Sequence, residues 1–292
     1  MITGSLVALV TPMFEDGSVD FDSLRKLVDF HVESKTDAII SVGTSGESAT
    51  LDIPEQLDVI DKTVGFAAGR IPVIAGTGGN STSEALELTE KAAAYDIHAC
   101  LLVVPYYNKP TQEGLYQHFR YIAERVDVPQ ILYNVPGRTS LDMQNDTVVR
   151  LSEIENIVGI KDATADISRV SDFLARCAND FALYSGDDAT TLEFIKAGGN
   201  GCISVTANVA PAKMHKMCAA ALEGDYATAD RLNAELDGLH RELFAESNPI
   251  PAKWAVSKLG LMPDGIRLPL TKFSAQYHRQ LEVAMESAGV LL

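Results

Sequence analysis

Cysteine, tryptophan and basic side chains are the scarce components of this chain: four Cys, one Trp and 24 Lys plus Arg among 292 residues. Cys100, Cys177, Cys202 and Cys218 form no C-x-x-C pair, and Cys100 and Cys202 lie in apolar runs that read as strands. Buried free thiols in a reducing compartment are the expectation. The six histidines are scattered, with no H-E-x-x-H or H-x-H grouping, so no metal site is expected. Basic residues are outnumbered by 40 acidic ones, giving a formal net charge of −16. That balance argues against nucleic acid or an anionic membrane as partner, since phosphate recognition needs clustered Lys and Arg. It leaves room for a small anionic substrate held by a local Arg or Lys. The acidic excess itself points to solubility or a saline setting. No apolar run reaches the ~20 residues of a membrane span. The start, M-I-T-G-S-L-V-A-L-V-T-P, lacks a basic leader and reads as a first strand. A cytoplasmic protein is expected. There is no low-complexity linker.

What is present is a regular alternation. Short apolar runs read as strands at Ser5–Val10, Ala38–Val42, Val73–Ala75, Cys100–Val104, Gln130–Asn134, Ile157–Lys161, Ala182–Gly186 and Cys202–Val205. Amphipathic stretches with helix signals stand between them. Pro54 suits a first helical turn, and Ser81 with Glu84 has the spacing of a capping box. Strands alternating with helices imply parallel pairing through crossovers. An open doubly wound sheet is one solution. Eight units in a row, and a length near the ~250 residues typical of such barrels, fit a closed (β/α)8 TIM barrel better. Residues 1–224 are thus expected to form the catalytic barrel. Residues 225–292 hold no convincing strand and read as a C-terminal helical appendix, with helices at Asp225–Ala245, Ile250–Leu259 and Leu270–Ser287.

One strand ends in an unusual way. Ile157-Val158-Gly159-Ile160 runs straight into Lys161. An ammonium at the end of a buried strand is costly unless it is paired or has a task. Desolvation favours the neutral amine, a nucleophile toward carbonyls. The duller reading is a lysine snorkelling to solvent. In barrels the chemistry gathers at the C-terminal ends of the strands. Those ends supply Thr44 and Ser45, Tyr106 and Tyr107, Tyr133 and Arg138, Lys161, Gly186 with Asp187 and Asp188, and Ile203 with Ser204. A lysine imine that loses an α-proton becomes an enamine, and this needs a group to move protons. Tyr133 can do so if Thr44 and Tyr107 assist it, since an isolated phenol near pKa 10 is a poor base. Arg138 offers a fork to a carboxylate, and the Gly43–Gly46 turn offers free backbone N–H groups to a second. Each has a plainer alternative. Tyr106-Tyr107 can serve packing or an interface, Gly43–Gly46 can be a bare turn, and Asp187-Asp188 can bind a cation or, more simply, cap a helix. His118, mid-helix beside Phe119, reads as structural.

Four segments resemble the dihydrodipicolinate synthase (4-hydroxy-tetrahydrodipicolinate synthase) family of the pyruvate-dependent class I aldolase and lyase superfamily. They are Gly43-Thr44-Ser45-Gly46-Glu47-Ser48, Tyr106-Tyr107-Asn108-Lys109-Pro110, Tyr133-Asn134-Val135-Pro136-Gly137-Arg138-Thr139 and Gly159-Ile160-Lys161-Asp162-Ala163-Thr164. Asn248-Pro249-Ile250-Pro251-Ala252-Lys253-Trp254 is similar too. The resemblance implies condensation of pyruvate with L-aspartate 4-semialdehyde, the first committed step of the diaminopimelate route to lysine. It implies Lys161 as Schiff-base residue, with no cofactor beyond the pyruvate imine. It implies Tyr133, Thr44 and Tyr107 as proton relay and Arg138 as clamp for the semialdehyde carboxylate. Ser45, Gly186 and the main chain at Ile203 would bind substrate. Tyr107 would enter a neighbour's site in a homotetramer built as a dimer of dimers. Ser48, Ala49, Asn80, Glu84 and Tyr106 would form an allosteric pocket for L-lysine. Two departures from the family pattern stand out. Ser45 replaces a usual threonine but keeps the hydroxyl. Ile53 and Gln56 stand where lysine-inhibited relatives often carry histidine, so a retained but weakened lysine response is expected. The alternatives are another keto-acid aldolase and a non-catalytic, metabolite-binding barrel.

Overall fold

The computed structural model describes residues 2–290. The first half of the barrel runs β1 (Gly4–Ala8), α1 (Phe21–Glu33), β2 (Ala38–Ser41), α2 (Ile53–Ala67), β3 (Val73–Gly76), α3 (Thr82–Ala92), β4 (Ala99–Val103) and α4 (Gln112–Ala123). The second half runs β5 (Gln130–Asn134), α5 (Pro136–Thr139), α6 (Asn145–Ser152), β6 (Ile157–Asp162), α7 (Ser168–Arg176), β7 (Ala182–Ser185), α8 (Thr191–Lys196), β8 (Gly201–Ser204) and α9 (Pro211–Leu222). Three helices follow: α10 (Tyr226–Glu242), α11 (Ile250–Lys258) and α12 (Ala275–Ser287). Each strand pairs in parallel with the next in sequence, and β8 closes on β1 with Gly4 opposite Gly201. The expected closed barrel is therefore the observed one. No helix among the described residues is long and apolar enough to cross a membrane.

Strand alternation sorts the core into two shells. Leu6, Ala8, Ile40, Ile74, Leu101, Ile131 and Ile203 fill the barrel interior. Their neighbours Val7, Leu9, Ile39, Leu132, Ile160 and Cys202 face outward and pack under the helices. Successive side chains of a strand point to opposite faces, so a slip of one residue would exchange the shells. The same rule fixes the chemistry. Tyr133 follows Leu132 and points inward; Asp162 follows Lys161 and points outward.

Several expectations shift. Strand ends move by one or two residues, and the expected β7 residue Gly186 lies just past its strand. The last helix starts at Ala275, not Leu270, because the preceding residues are committed elsewhere. The Phe273 ring packs on Trp254 at 5.5 Å between centroids, and Ser274 bonds the Glu246 carboxylate through its N–H and its hydroxyl. Ser81 does cap α3, accepting from the Glu84 N–H at 3.4 Å, but the box is not completed by the Glu84 side chain. A full capping box forms at Asp52 and Glu55 on α2. Asp187 caps the turn before α8, whereas Asp188 accepts from the N–H groups of Val205 and Thr206, both at 2.9 Å, and ties β8's exit to β7's. All four cysteines are free. Cys100, Cys202 and Cys218 are buried, and Cys177 is partly exposed.

Candidate active site

Lys161 ends its inward-facing row only 5% exposed. It does not snorkel. Its register partner on β5 is Tyr133, itself 7% exposed, and Nζ lies 4.3 Å from the Tyr133 ring centroid. Gly186 makes room for it from the other side: a Cβ there would stand 3.0 Å from Lys161 Cε and 3.1 Å from Cγ. The β7 register partner of Lys161, Tyr184, plays no comparable part. Its hydroxyl donates to the Ile2 carbonyl at 2.6 Å, and burial pushes its pKa up to about 12. It fills the barrel floor.

Above Lys161 a cavity of about 170 Å³ opens at the C-terminal mouth, walled by Thr44, Ser45, Tyr133, Arg138, Lys161 and Gly186. A second cavity of about 290 Å³ adjoins it, and Thr44, Ser48 and Arg138 line both. Arg138 sits on α5, the short turn created by Val135-Pro136, where proline's fixed φ starts a helix. Its Nη2 donates to the Asn248 carbonyl at 3.0 Å, leaving the rest of the fork for a ligand. Ile203 points its side chain into the barrel core, so only its main chain can face a substrate. The second cavity is lined by Ser48, Ala49, Glu84 and Tyr106, together with Ile53 and Gln56. Asn80 stands beside it, donating to the Tyr106 carbonyl at 3.2 Å. Gln56 spends its amide N–H groups on the carbonyls of Ser48 and Leu51, at 3.0 and 2.9 Å, and so pins that turn.

One expected partnership is not assembled within the chain. Tyr107 is 90% exposed, and no hydrogen bond joins it to Thr44 or Tyr133. Its φ of +72° is a left-handed conformation that a bulky residue adopts only at a cost. Thr44 and Tyr133 face one cavity without bonding each other.

Sequence reasoning missed the residues behind the site. Asn248 donates to Ser45 Oγ at 2.9 Å. Glu47 and Lys253 form a fully buried ion pair. On the outward face, Asp162 Oδ2 meets Arg169 Nε at 2.9 Å, and Arg169 also reaches Asp142, which accepts from Asn134 Nδ2 at 2.7 Å. This network locks the residues that follow Tyr133 and Lys161, on the opposite side of the two strands. Burial raises the Asp162 pKa, and the Arg169 charge opposes that rise. The signal was available: the residue after an inward-facing lysine must face the helix layer, where a carboxylate needs a cation.

Fold and site together define a class, the barrel lyases that act on small carbonyl acids. Comparison with known proteins narrows it. The sequence profile of the Dihydrodipicolinate synthetase family matches residues 1–288, and the chain belongs to that family. It is 62% identical over 292 residues to the 4-hydroxy-tetrahydrodipicolinate synthase of Thioalkalivibrio sulfidiphilus, covering 100% of this chain and 99% of the relative. It is 60% identical to the synthase of the same name from Pseudomonas aeruginosa, covering 100% of both. Among solved structures, the chloride-inhibited dihydrodipicolinate synthase of Acinetobacter baumannii, complexed with pyruvate, superposes with a TM-score of 0.98 at 54% identity over 100% of both chains. The enzyme of Cyanidioschyzon merolae with lysine bound gives a TM-score of 0.96 at 41% identity over 99% of both chains.

Proposed function

We propose that this chain condenses pyruvate with L-aspartate 4-semialdehyde to 4-hydroxy-tetrahydrodipicolinate, the first committed step of lysine synthesis by the diaminopimelate route. The observation that carries the mechanism is the buried Lys161 amine, set beside Tyr133 and opposite Gly186 under a small cavity with Arg138 at its mouth. Lys161 Nζ adds to the pyruvate ketone, and loss of water gives an imine. That cationic nitrogen takes up the electrons of the C3–H bond as the proton leaves, so no separate cofactor is required. The resulting enamine attacks the aldehyde and forms the new C–C bond. The product's ring nitrogen is the semialdehyde's own amine, which displaces Lys161 and closes the ring. One water is released overall.

Tyr133, Thr44 and Tyr107 move the protons, a role typically worth ~10²–10⁴-fold. Ser45, Gly186 and the Ile203 main chain hold pyruvate, and Arg138 holds the semialdehyde carboxylate. The exposed Tyr107 fits a role in the site of a second copy. A homotetramer, as a dimer of dimers, is the assembly this implies. One solved relative, at a TM-score of 0.96 and 39% identity, is a monomeric dihydrodipicolinate synthase variant. L-Lysine is the feedback ligand, held by Ser48, Ala49, Asn80, Glu84 and Tyr106 in the adjoining cavity. In this reading residues 1–224 carry the chemistry and residues 225–292 brace it, in the cytoplasm.

Borohydride reduction in the presence of pyruvate, followed by peptide mass mapping, tests the central claim. A reduced pyruvate adduct on Lys161 is expected; its absence removes the mechanism. A panel of aldehydes assayed side by side then tests the partner, with the semialdehyde expected to be strongly preferred.

A further inference from the structure

The turn after β2 serves two cavities at once. Thr44 and Ser48 line both, while Ser45 faces the catalytic cavity and Ala49 its neighbour. Its backbone is not what local preference would choose. Val42 has φ +59° and Glu47 has φ +57°, both left-handed, and Val42 is β-branched. Such residues cost on the order of 1–3 kcal/mol each and persist only where their surroundings impose them. Thr11 Oγ1 donates to the Gly46 carbonyl at 2.8 Å, and Asn248 holds Ser45. The strongest constraint is Glu47. One carboxylate oxygen pairs with Lys253 on α11, and the other accepts from the Arg267 N–H at 3.2 Å. The Glu47 and Lys253 side chains are 0% and 1% exposed. Burial lowers the Lys253 pKa, and Glu47 opposes that shift. The Arg267 guanidinium then reaches back to the Thr50 carbonyl at 2.7 Å and to Glu55 at 2.5 Å.

A buried ion pair contributes little net stability, since desolvation offsets its attraction and an apolar pair of similar volume does as well. Stability therefore does not account for its presence here. Directionality does, because a carboxylate with both oxygens engaged fixes the turn's height and rotation. We infer that Glu47 and Lys253 are positioning residues through which the C-terminal helices set the face that Thr44 and Ser45 turn to the catalytic cavity. The inference rests on the reading that Ser45 holds pyruvate and that Thr44 beside it serves the proton relay. Neither residue touches substrate; both act through the turn.

The effect belongs in pyruvate binding and proton transfer. Breaking the pair from one side leaves a charge buried alone, so Lys253→Met is expected to unfold or express poorly. The informative variant is the double replacement Glu47→Gln with Lys253→Met, which removes both charges and keeps the volume. Glu47→Asp, which shortens the arm by one methylene, is the second. In the full-length protein both are expected to keep native circular dichroism. Both should raise the pyruvate KM about tenfold or more and lower kcat through the displaced Thr44, while the semialdehyde KM stays within about threefold. Three results overturn the inference: an unchanged pyruvate KM in either folded variant, a uniform loss in kcat and both KM values, or failure of both variants to fold. The wild-type protein is trapped with pyruvate and borohydride in parallel. No Lys161 adduct there removes the functional reading itself. An adduct with an unchanged variant KM removes only this inference.

Discussion

Replacing Gly186 by alanine isolates what the site demands of Lys161. The φ of Gly186 lies outside the left-handed region, so alanine brings no backbone strain and the added methyl acts only by volume. That methyl would lie 2.7 Å from Ala163 Cβ, 3.0 Å from Lys161 Cε and 3.1 Å from Lys161 Cγ. Carbon atoms settle at about 3.5–4.0 Å, so the overlap is about 0.4–1.3 Å, largest against Ala163. Ala163 has no torsion with which to yield, whereas the lysine chain does, and the amine moves. A misplacement near 1 Å costs a reacting group about 10²-fold, or about 2.7 kcal/mol of barrier. Overpacking costs a further ~1–3 kcal/mol of stability. The assay is kcat/KM for pyruvate, alongside the rate of borohydride trapping and a thermal unfolding curve. The expected outcome is a loss of about 10²-fold in both rates with a folded protein. If the variant traps pyruvate within about threefold of the native rate, the amine is not held by the Gly186 contact and the steric argument fails.

Four further outcomes follow. Arg138→Lys keeps the charge but loses the planar fork, and should raise the semialdehyde KM about tenfold or more with little change in the pyruvate KM, read by steady-state kinetics. Tyr107→Phe should lower kcat by ~10²-fold or more without changing the pyruvate adduct on Lys161; normal turnover would remove Tyr107 from the relay. Glu84→Ala should abolish the calorimetric heat of lysine binding while leaving turnover without lysine intact, and heat retained would displace the lysine site from this cavity. His31 is wholly buried, with Nδ1 on Thr36 Oγ1 at 2.9 Å, and burial pushes its pKa down to about 3. The unfolded chain therefore takes up this proton first. The contribution is full above about pH 6.5 and is lost as pH falls toward 3, with about 2 kcal/mol gone between pH 7 and 5. Urea unfolding at both pH values should show a smaller drop in His31→Asn, and an equal drop would refute the assignment.

The sequence alone determined the barrel and its mouth. Eight short apolar runs separated by amphipathic helices leave few topologies, because parallel strands need crossovers and eight of them close naturally. A short apolar run that stops at a lysine then placed Lys161 at a strand end, and the residue types around it named the chemistry. The Gly43–Ser48, Tyr133–Thr139 and Gly159–Thr164 segments carried the family because their residues act locally. Only the tertiary structure decided what holds them. Glu47 and Lys253 are 206 residues apart along the chain. Nothing in either segment's local pattern demands the other; the barrel's closure and the return of α11 bring them together. The late start of α12 and the use of Asp188 escaped for the same reason, whereas the Asp52–Glu55 capping box is a local signature that sequence reasoning passed over. The first two each depend on a hydrogen bond whose partner is chosen by packing, and a buried polar group takes whichever partner the fold delivers. Tyr107 marks the boundary between the two kinds of information. Its residue type raised an expectation of function, and the fold leaves it 90% exposed on a left-handed backbone.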